Sequence, residues 1–314
     1  MKIIRLKTRY RKALLKTVPL WFAILLTFES SVLVGAAEYY IMKKNFNNSI
    51  IELSKTATSE ELIQILKQEV IPQKGYALAV KWNDIGKLLL STGAIDKKAF
   101  EEAFLNEPIA LKHMWHLEND SKDNMAINEQ DSRFMVNTLW ALGLVNKTKI
   151  LDEGSMQKYA GGDVMNFAST GGWSLGVKPT SELYSSAGII ELSDKQERIV
   201  EKIASSVYRP CCGNHTEFPD CNHGMAALGY IQLAVKQGIS EKRIYQDLLA
   251  LNSFWFPQNY VELAAYFQKQ NKAWKEVDPK LALSNEYSSA QGMQKVRESM
   301  RSIPSIGPQG GCGA

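Results

Sequence analysis

At 314 residues, with 45% hydrophobic and 22% charged residues, the chain can bury a full core and does not have the composition of a disordered protein. Its net charge of +4 sits at one end: Lys2, Arg5, Lys7, Arg9, Arg11, Lys12 and Lys16 all precede the first acid, Glu29, and without those seven the rest carries −3. That balance excludes a body that binds nucleic acid through a basic footprint.

The basic segment, residues 1–16, leads into an apolar stretch at 18–28 that includes Leu20, Trp21, Phe22, Ile24, Leu25 and Leu26. Two readings stay open. As a signal anchor, residues 17–42 cross a bilayer, for which roughly 20 apolar residues suffice. Tyr39, Tyr40, Lys43 and Lys44 then mark the interface, and Glu29 inside the membrane costs about 2.5–3.5 kcal/mol. As a cleaved signal peptide, the apolar stretch ends at a small-residue cleavage site, Val34-Gly35-Ala36. In both, the positive segment stays in the cytoplasm and the body faces out. The expected architecture is mainly α: an N-terminal membrane-spanning or signal helix, then an all-α multi-helix globular body on the extracytoplasmic side.

Residues 43–58 read as a polar connector, and 59–190 as a helical region. Its first helix opens at Ser59 with Glu60 and Glu61 in the first turn, runs toward Val70 and stops at Pro72. Trp82, Ile85, Leu88 and Leu89 recur at helical spacing and predict a second helix, ended by Gly93. Asp96 caps a third, carrying Ala99, Phe100, Ala103 and Phe104 and closed by Pro108. The polar stretch from Glu118 to Gln130 reads as a surface loop. Phe134, Leu139, Leu142 and Leu144 begin a helix that ends near Asn146. Residues 154–179 are glycine-rich and predict an ordered loop or short hairpin packed by Trp173, a candidate ligand lining without dinucleotide or phosphate-loop spacing. Residues 191–280 read as a helical Cys/His domain. Ser193 and Gln196 form a capping box for a helix through Ile199, Ile203 and Val207. Helices at 224–237 and 240–251 flank Gly238, and a last one covers 260–267. Residues 281–314 read as a partly flexible tail, rich in Gly and Pro beyond Pro304.

The chemistry is concentrated between two of these helices. Three of the four cysteines and two of the four histidines fall within thirteen residues, Cys211, Cys212, His215, Cys221 and His223. The remaining cysteine, Cys312, lies in a glycine-rich terminus. Thiolate and imidazole together suit zinc or copper, so these five residues are the candidate metal ligands. One of the adjacent cysteines with His215, Cys221 and His223 makes the easier tetrahedral set. Thiol exchange is a second reading: a Cys211–Cys212 disulfide would be strained and easily reduced, Arg209 and the following helix favour a thiolate, and Cys312 is a candidate extra ligand or transfer thiol. A protein thiol or a metal donor is the partner these chemistries imply. The third reading is non-catalytic: cysteines paired as stabilising disulfides in an exported structural or interaction domain.

Tyr208-Arg209-Pro210-Cys211-Cys212-Gly213-Asn214, with the later turn Gly238-Ile239-Ser240-Glu241 and Ile244, resembles the thiol-bearing haem lyase subunit family of bacterial cytochrome c maturation over about residues 195–256. That family places Leu-Arg-Cys-Pro-x-Cys-Gln-Asn between helices. The resemblance implies a membrane-anchored helical domain handling thiols or haem outside the cytoplasm. Here the cysteines are adjacent, and Cys221 and His223 have no counterpart.

Lesser candidates are His113 and His116, three apart with Met114 between them, which on one helix face can ligate a metal or sit as ordinary surface or core histidines. Glu217 and Asp220 can act as acid, base or oxygen ligands, or shape the turn at Pro219. Phe254, Trp255 and Phe256 wall a pocket or pack a core. Asn47, Asn146 and Asn214 each begin a glycosylation triplet.

Overall fold

The computed structural model describes residues 28–29, 31–42 and 59–300. The chain divides into two compact units, residues 1–55 and 56–314. In the first, residues 28–29 and 31–42 are helical. Among the described residues no helix is long and apolar enough to cross a membrane. Residues 17–27 and 30 of the expected 17–42 span, the 1–16 segment and the 43–58 connector lie outside the described residues.

The second unit is mainly helical. Helix α1 (Ser59–Val70) has Glu60 and Glu61 in its first turn and Lys67 in its last, complementing the helix dipole. Its Ile63, Leu66 and Val70 are buried at helical spacing. The body is not all-α, however. Strand β1 (Tyr76–Asn83) alternates Leu78, Val80 and Trp82 inward. It pairs antiparallel with β2 (Ser121–Ile127), from Tyr76 opposite Ile127 to Asn83 opposite Ser121. The helix expected from Trp82 onward therefore starts later, as α2 (Ile85–Ser91). Trp82 belongs to a period-two pattern, and Asn83, at φ 46°, turns the chain between strand and helix. The expected loop at 118–130 contains β2. Its outward Lys122, Asp123 and Asn124 disguise the buried Ser121, Met125 and Ile127.

Helix α3 (Lys97–Ala103) is capped by Asp96, whose carboxylate accepts from Ala99 N at 3.0 Å. A short α4 (Met114–Glu118) follows. The centre is a pair of helices, α5 (Ser132–Val145) and, far along the chain, α7 (Asn222–Lys236), buried from Phe134 to Val145 and from Asn222 to Val235. They meet backbone to backbone. A Cβ on Gly143 would lie 2.1 Å from Met225 O, and one on Gly229 2.4 Å from Leu139 O. Regions 59–190 and 191–280 thus share one core.

Helix α6 (Asp194–Ala204) carries the Ser193–Gln196 capping box. Helices α8 (Glu241–Trp255) and α9 (Pro257–Lys269) follow, the second starting on its proline. The glycine-rich segment is no hairpin; it holds a short helix, Ser155–Tyr159, and a 3-10 turn, Val164–Asn166. Trp173 anchors it, buried edge-on against Trp140 at 4.8 Å and donating to Ala94 O at 2.9 Å. The first part of the expected tail is helical rather than flexible: α10 (Ala290–Ser299) buries Met293 and Val296. Residues 301–314, with Cys312, lie outside the described residues.

Candidate metal centre

The chain leaves α6 and folds back on itself: Thr216 N donates to Val207 O at 2.9 Å, and Tyr208 bridges to His215. Cys211 and Cys212 sit at the tip of this return. The segment then crosses Phe218 and Asp220, where Ser169 of the glycine-rich segment donates to Asp220 O at 3.2 Å, and enters α7 at Cys221. On the opposite side Ala290 N, at the start of α10, donates to Cys212 O at 2.9 Å. Two distant parts of the chain thus hold one short loop.

Arg209 organises its interior. The side chain is 1% exposed, and a buried guanidinium must have its donors satisfied. Its Nε donates to Cys221 Sγ at 2.9 Å, one terminal nitrogen to Asn214 O at 3.2 Å, and the other to Phe218 O at 3.1 Å and Asp220 Oδ1 at 2.6 Å. Asn214 Nδ2 holds Asp220 Oδ2 at 2.8 Å. Gly224 makes the room: a Cβ there would fall 2.4 Å from the guanidinium carbon.

Cys221 is the N-cap of α7, its sulfur accepting from Gly224 N at 3.4 Å. Cys211 Sγ approaches it to 3.4 Å. The sulfurs of Cys211, Cys212 and Cys221 all lie within 4.8 Å of one another, an arrangement that can hold a metal ion. All three cysteines are free. The disulfide reading therefore has no described bridge to rest on: even the 3.4 Å contact is well beyond the roughly 2.05 Å of an S–S bond.

The environment sorts the thiols. Hydrogen bonds from Cys211 and Cys212 hold Cys221 well below the ordinary thiol range against the opposing effect of burial, and the Arg209 charge adds to them. Cys211 is pushed up, first by its bond to Cys212, then by that to Cys221 and by burial. Cys212 is pulled down by Cys211, but Cys221 and burial outweigh this and push it up to about 12.

The histidines of the expected ligand set stand elsewhere. His215 Nδ1 faces Glu217 at 3.6 Å and its ring lies edge-on to Tyr208. His223 packs against Trp255 and Phe256, with ring centroids 5.5 and 4.5 Å away, and burial lowers it to about 4. Neither belongs to the set of converging donors. Phe254, Trp255 and Phe256 are buried core residues. Glu217 is bound by Ser155, Oγ at 2.6 Å, and Asp220 by Arg209. Asn146 is fully buried against Ile190 and Gln232, and Asn214 is held by Asp220, so neither side chain presents a free glycosylation site. Asn47 lies outside the described residues.

His113 donates its Nε2 face to the buried Asp131 at 3.0 Å, and His116 stacks on Trp82 with ring centroids 4.8 Å apart. Met114 is in the core. The glycine-rich segment does line a cavity of about 320 Å³, through Gly172, Trp173 and Ser174, opposite Arg133, Asn137 and Trp140. What sequence reasoning missed is the organising role of Arg209 with Gly224. The signal was a single arginine at the start of the cysteine loop and a glycine one turn into the helix.

Comparison of the chain with protein-family models, with curated proteins and with solved structures finds no match.

Proposed function

We propose that this chain is a membrane-anchored extracytoplasmic protein whose helical body presents a buried cysteine site for a soft or borderline metal ion, zinc or copper. The observation that carries this is the convergence of Cys211, Cys212 and Cys221 within 4.8 Å. Sulfur donors at that spacing match the roughly 2.3 Å metal–sulfur bond, and soft thiolates suit copper and zinc above the hard cations. The N-terminal positive charge supports the orientation, with the body outside the cytoplasm. A metal donor is the partner this reading requires. The haem lyase resemblance supports the same compartment and the handling of thiols, while the adjacent cysteines and Cys221 set this site apart.

The test is the metal content of the full chain purified without chelator, by native mass spectrometry. One equivalent of zinc or copper, lost in Cys221→Ala and Cys212→Ser, is the expected result. A metal-free protein that takes up neither ion when reduced and reloaded would end the proposal. Topology is checked by reporter fusions after residue 58, expected to be active only outside the cytoplasm.

A second reading has its own observation. The 3.4 Å approach of Cys211 and Cys221 places the pair one small movement from a disulfide. Thiol–disulfide exchange with a protein partner through these two, rather than through the adjacent pair, predicts a Cys211–Cys221 cross-link in peptide mapping of the oxidised protein.

A further inference from the structure

Building on the metal reading above, we infer that the site is specific for monovalent copper, held by the three sulfurs of Cys211, Cys212 and Cys221 with no nitrogen or oxygen ligand from the chain.

The donor inventory leads there. Structural zinc sites are almost always four-coordinate, and among the described residues no fourth donor joins the three converging sulfurs. Asp220 Oδ1 lies 3.8 Å from Cys212 Sγ, but it accepts from Arg209 at 2.6 Å, and its other oxygen accepts from Asn214 at 2.8 Å. Glu217 is taken by Ser155 and faces His215. His223 has a buried, unpartnered Nδ1, yet its ring is wedged against Trp255 and Phe256 and does not join the converging set. Three sulfurs remain. Around an ion with bonds of about 2.3 Å, a trigonal plane needs sulfurs about 4 Å apart, between the 3.4 Å of the Cys211–Cys221 pair and the 4.8 Å limit of the set. Soft thiolates suit both Cu(I) and zinc, and of the two it is Cu(I) that is content with three ligands, where structural zinc takes four.

A fixed positive charge lies beside these sulfurs. The Arg209 guanidinium touches Cys221 Sγ at 2.9 Å and is buried with it. The same fixed charge offsets the surplus negative charge of thiolates around a singly charged ion. Binding changes no oxidation state: the ion enters as Cu(I), and thiol protons displaced by it leave to solvent.

The experiment uses the reduced full chain under anaerobic conditions, titrated with Cu(I) against a bicinchoninate-type chelator and separately with Zn(II) against a chromophoric zinc chelator. The expected result is one Cu(I) per chain, bound far more tightly than zinc, with X-ray absorption showing sulfur only at three-coordinate distances. Cys211→Ser and Cys212→Ser should each weaken Cu(I) by at least about 100-fold, since even outer-shell partners of a metal ligand are worth about 10–100-fold. Cys212, half-buried at the loop tip, is the variant expected to keep the fold, which circular dichroism checks. Tighter zinc than copper, or a nitrogen or oxygen neighbour in the absorption spectrum, overturns the copper assignment and leaves the metal reading standing. Binding of neither ion overturns both.

Discussion

Two stretches of this chain gather metal-ligating side chains, and they end in opposite arrangements. In the loop from Arg209 to Gly224, three cysteines turn inward onto one another around a buried guanidinium. In the segment from His113 to His116, the side chains spread: one histidine goes to Asp131, the other onto the face of Trp82, and Met114 into the core. Helical spacing brought the two rings within 5.9 Å in a stacked orientation, which presents faces rather than nitrogens to the space between them. The difference lies in what each stretch is built around. A buried cation needs acceptors on every side, so Arg209 draws the loop's carbonyls, a carboxylate and a sulfur to itself. Aromatic surfaces impose no such demand on the histidines.

Removing that organiser should therefore have the largest effect. Arg209→Leu takes away the partner of the Cys221 sulfur, Asp220 and two carbonyls at once, and breaking a buried ion pair from one side costs about 3–5 kcal/mol. Denaturant unfolding should show a loss of that size. A loss below about 1 kcal/mol, the scale of an exposed pair, would mean that Arg209 does not organise the loop.

Gly224→Ala sharpens the comparison without removing any charge. Its Cβ would sit 2.4 Å from the guanidinium carbon and 2.7 Å from Nε, the atom that holds Cys221. The guanidinium must move, since the backbone of α7 is fixed by its packing on α5. Overpacking of this kind costs about 1–3 kcal/mol. Besides a lower Tm, Cys221 should lose reactivity toward alkylating agents at neutral pH, because its thiolate loses Arg209. Unchanged alkylation would place the control of that thiolate with Cys211 and Cys212 alone.

The histidine segment supplies the contrasting arm. Asp131, 1% exposed, accepts from Asn128 N at 2.7 Å as well as from His113. Asp131→Asn leaves a buried donor where an acceptor is needed, at a cost of about 1–3 kcal/mol, while metal uptake at the cysteines should stay as in the unmodified chain. Metal loss in this variant, with the fold retained by circular dichroism, would join the two stretches that the structure keeps apart.

Which of these features the sequence made legible follows physical lines. Helix starts were readable where capping is local: Ser193 with Gln196 and Asp96 with Ala99 each work within four residues. The buried helices α5 and α7 were readable from their apolar runs. The two strands were not, because eight-residue β1 shares Trp82 with the helical spacing that follows it, and β2 shows mostly polar residues on its outer face. Clustering of Cys211, Cys212 and Cys221 was plain in the chain order. The place of the histidines was not, since the direction of a side chain depends on distant partners: Trp255 and Phe256 for His223, Glu217 for His215. The backbone contact at Gly143 and Gly229, which joins the two halves of the body, comes from positions 86 residues apart and leaves no local trace.

The smallest expected effect concerns His116. Burial lowers its basicity and the neighbouring His113 adds to this, with Asp123 opposing. Its Nδ1 is buried without a hydrogen-bond partner, so the folded protein favours the neutral ring. As pH falls through the ordinary imidazole value of about 6.5, the unfolded chain takes up this proton before the folded one does. More protons on the unfolded state means that stability rises with pH there and declines on acidification. Stability is therefore fully present above that value and is lost progressively below it, until the folded pKa is also passed. His116→Phe keeps a ring on Trp82, which His116 now covers with planes 1° apart, and removes the titration. Denaturation midpoints compared between pH 7 and pH 5 should fall less in the variant than in the unmodified chain, the other histidines contributing equally to both. Equal declines would show that protonated His116 is as well accommodated in the fold as in water, and that its stacking on Trp82 does not depend on the neutral form.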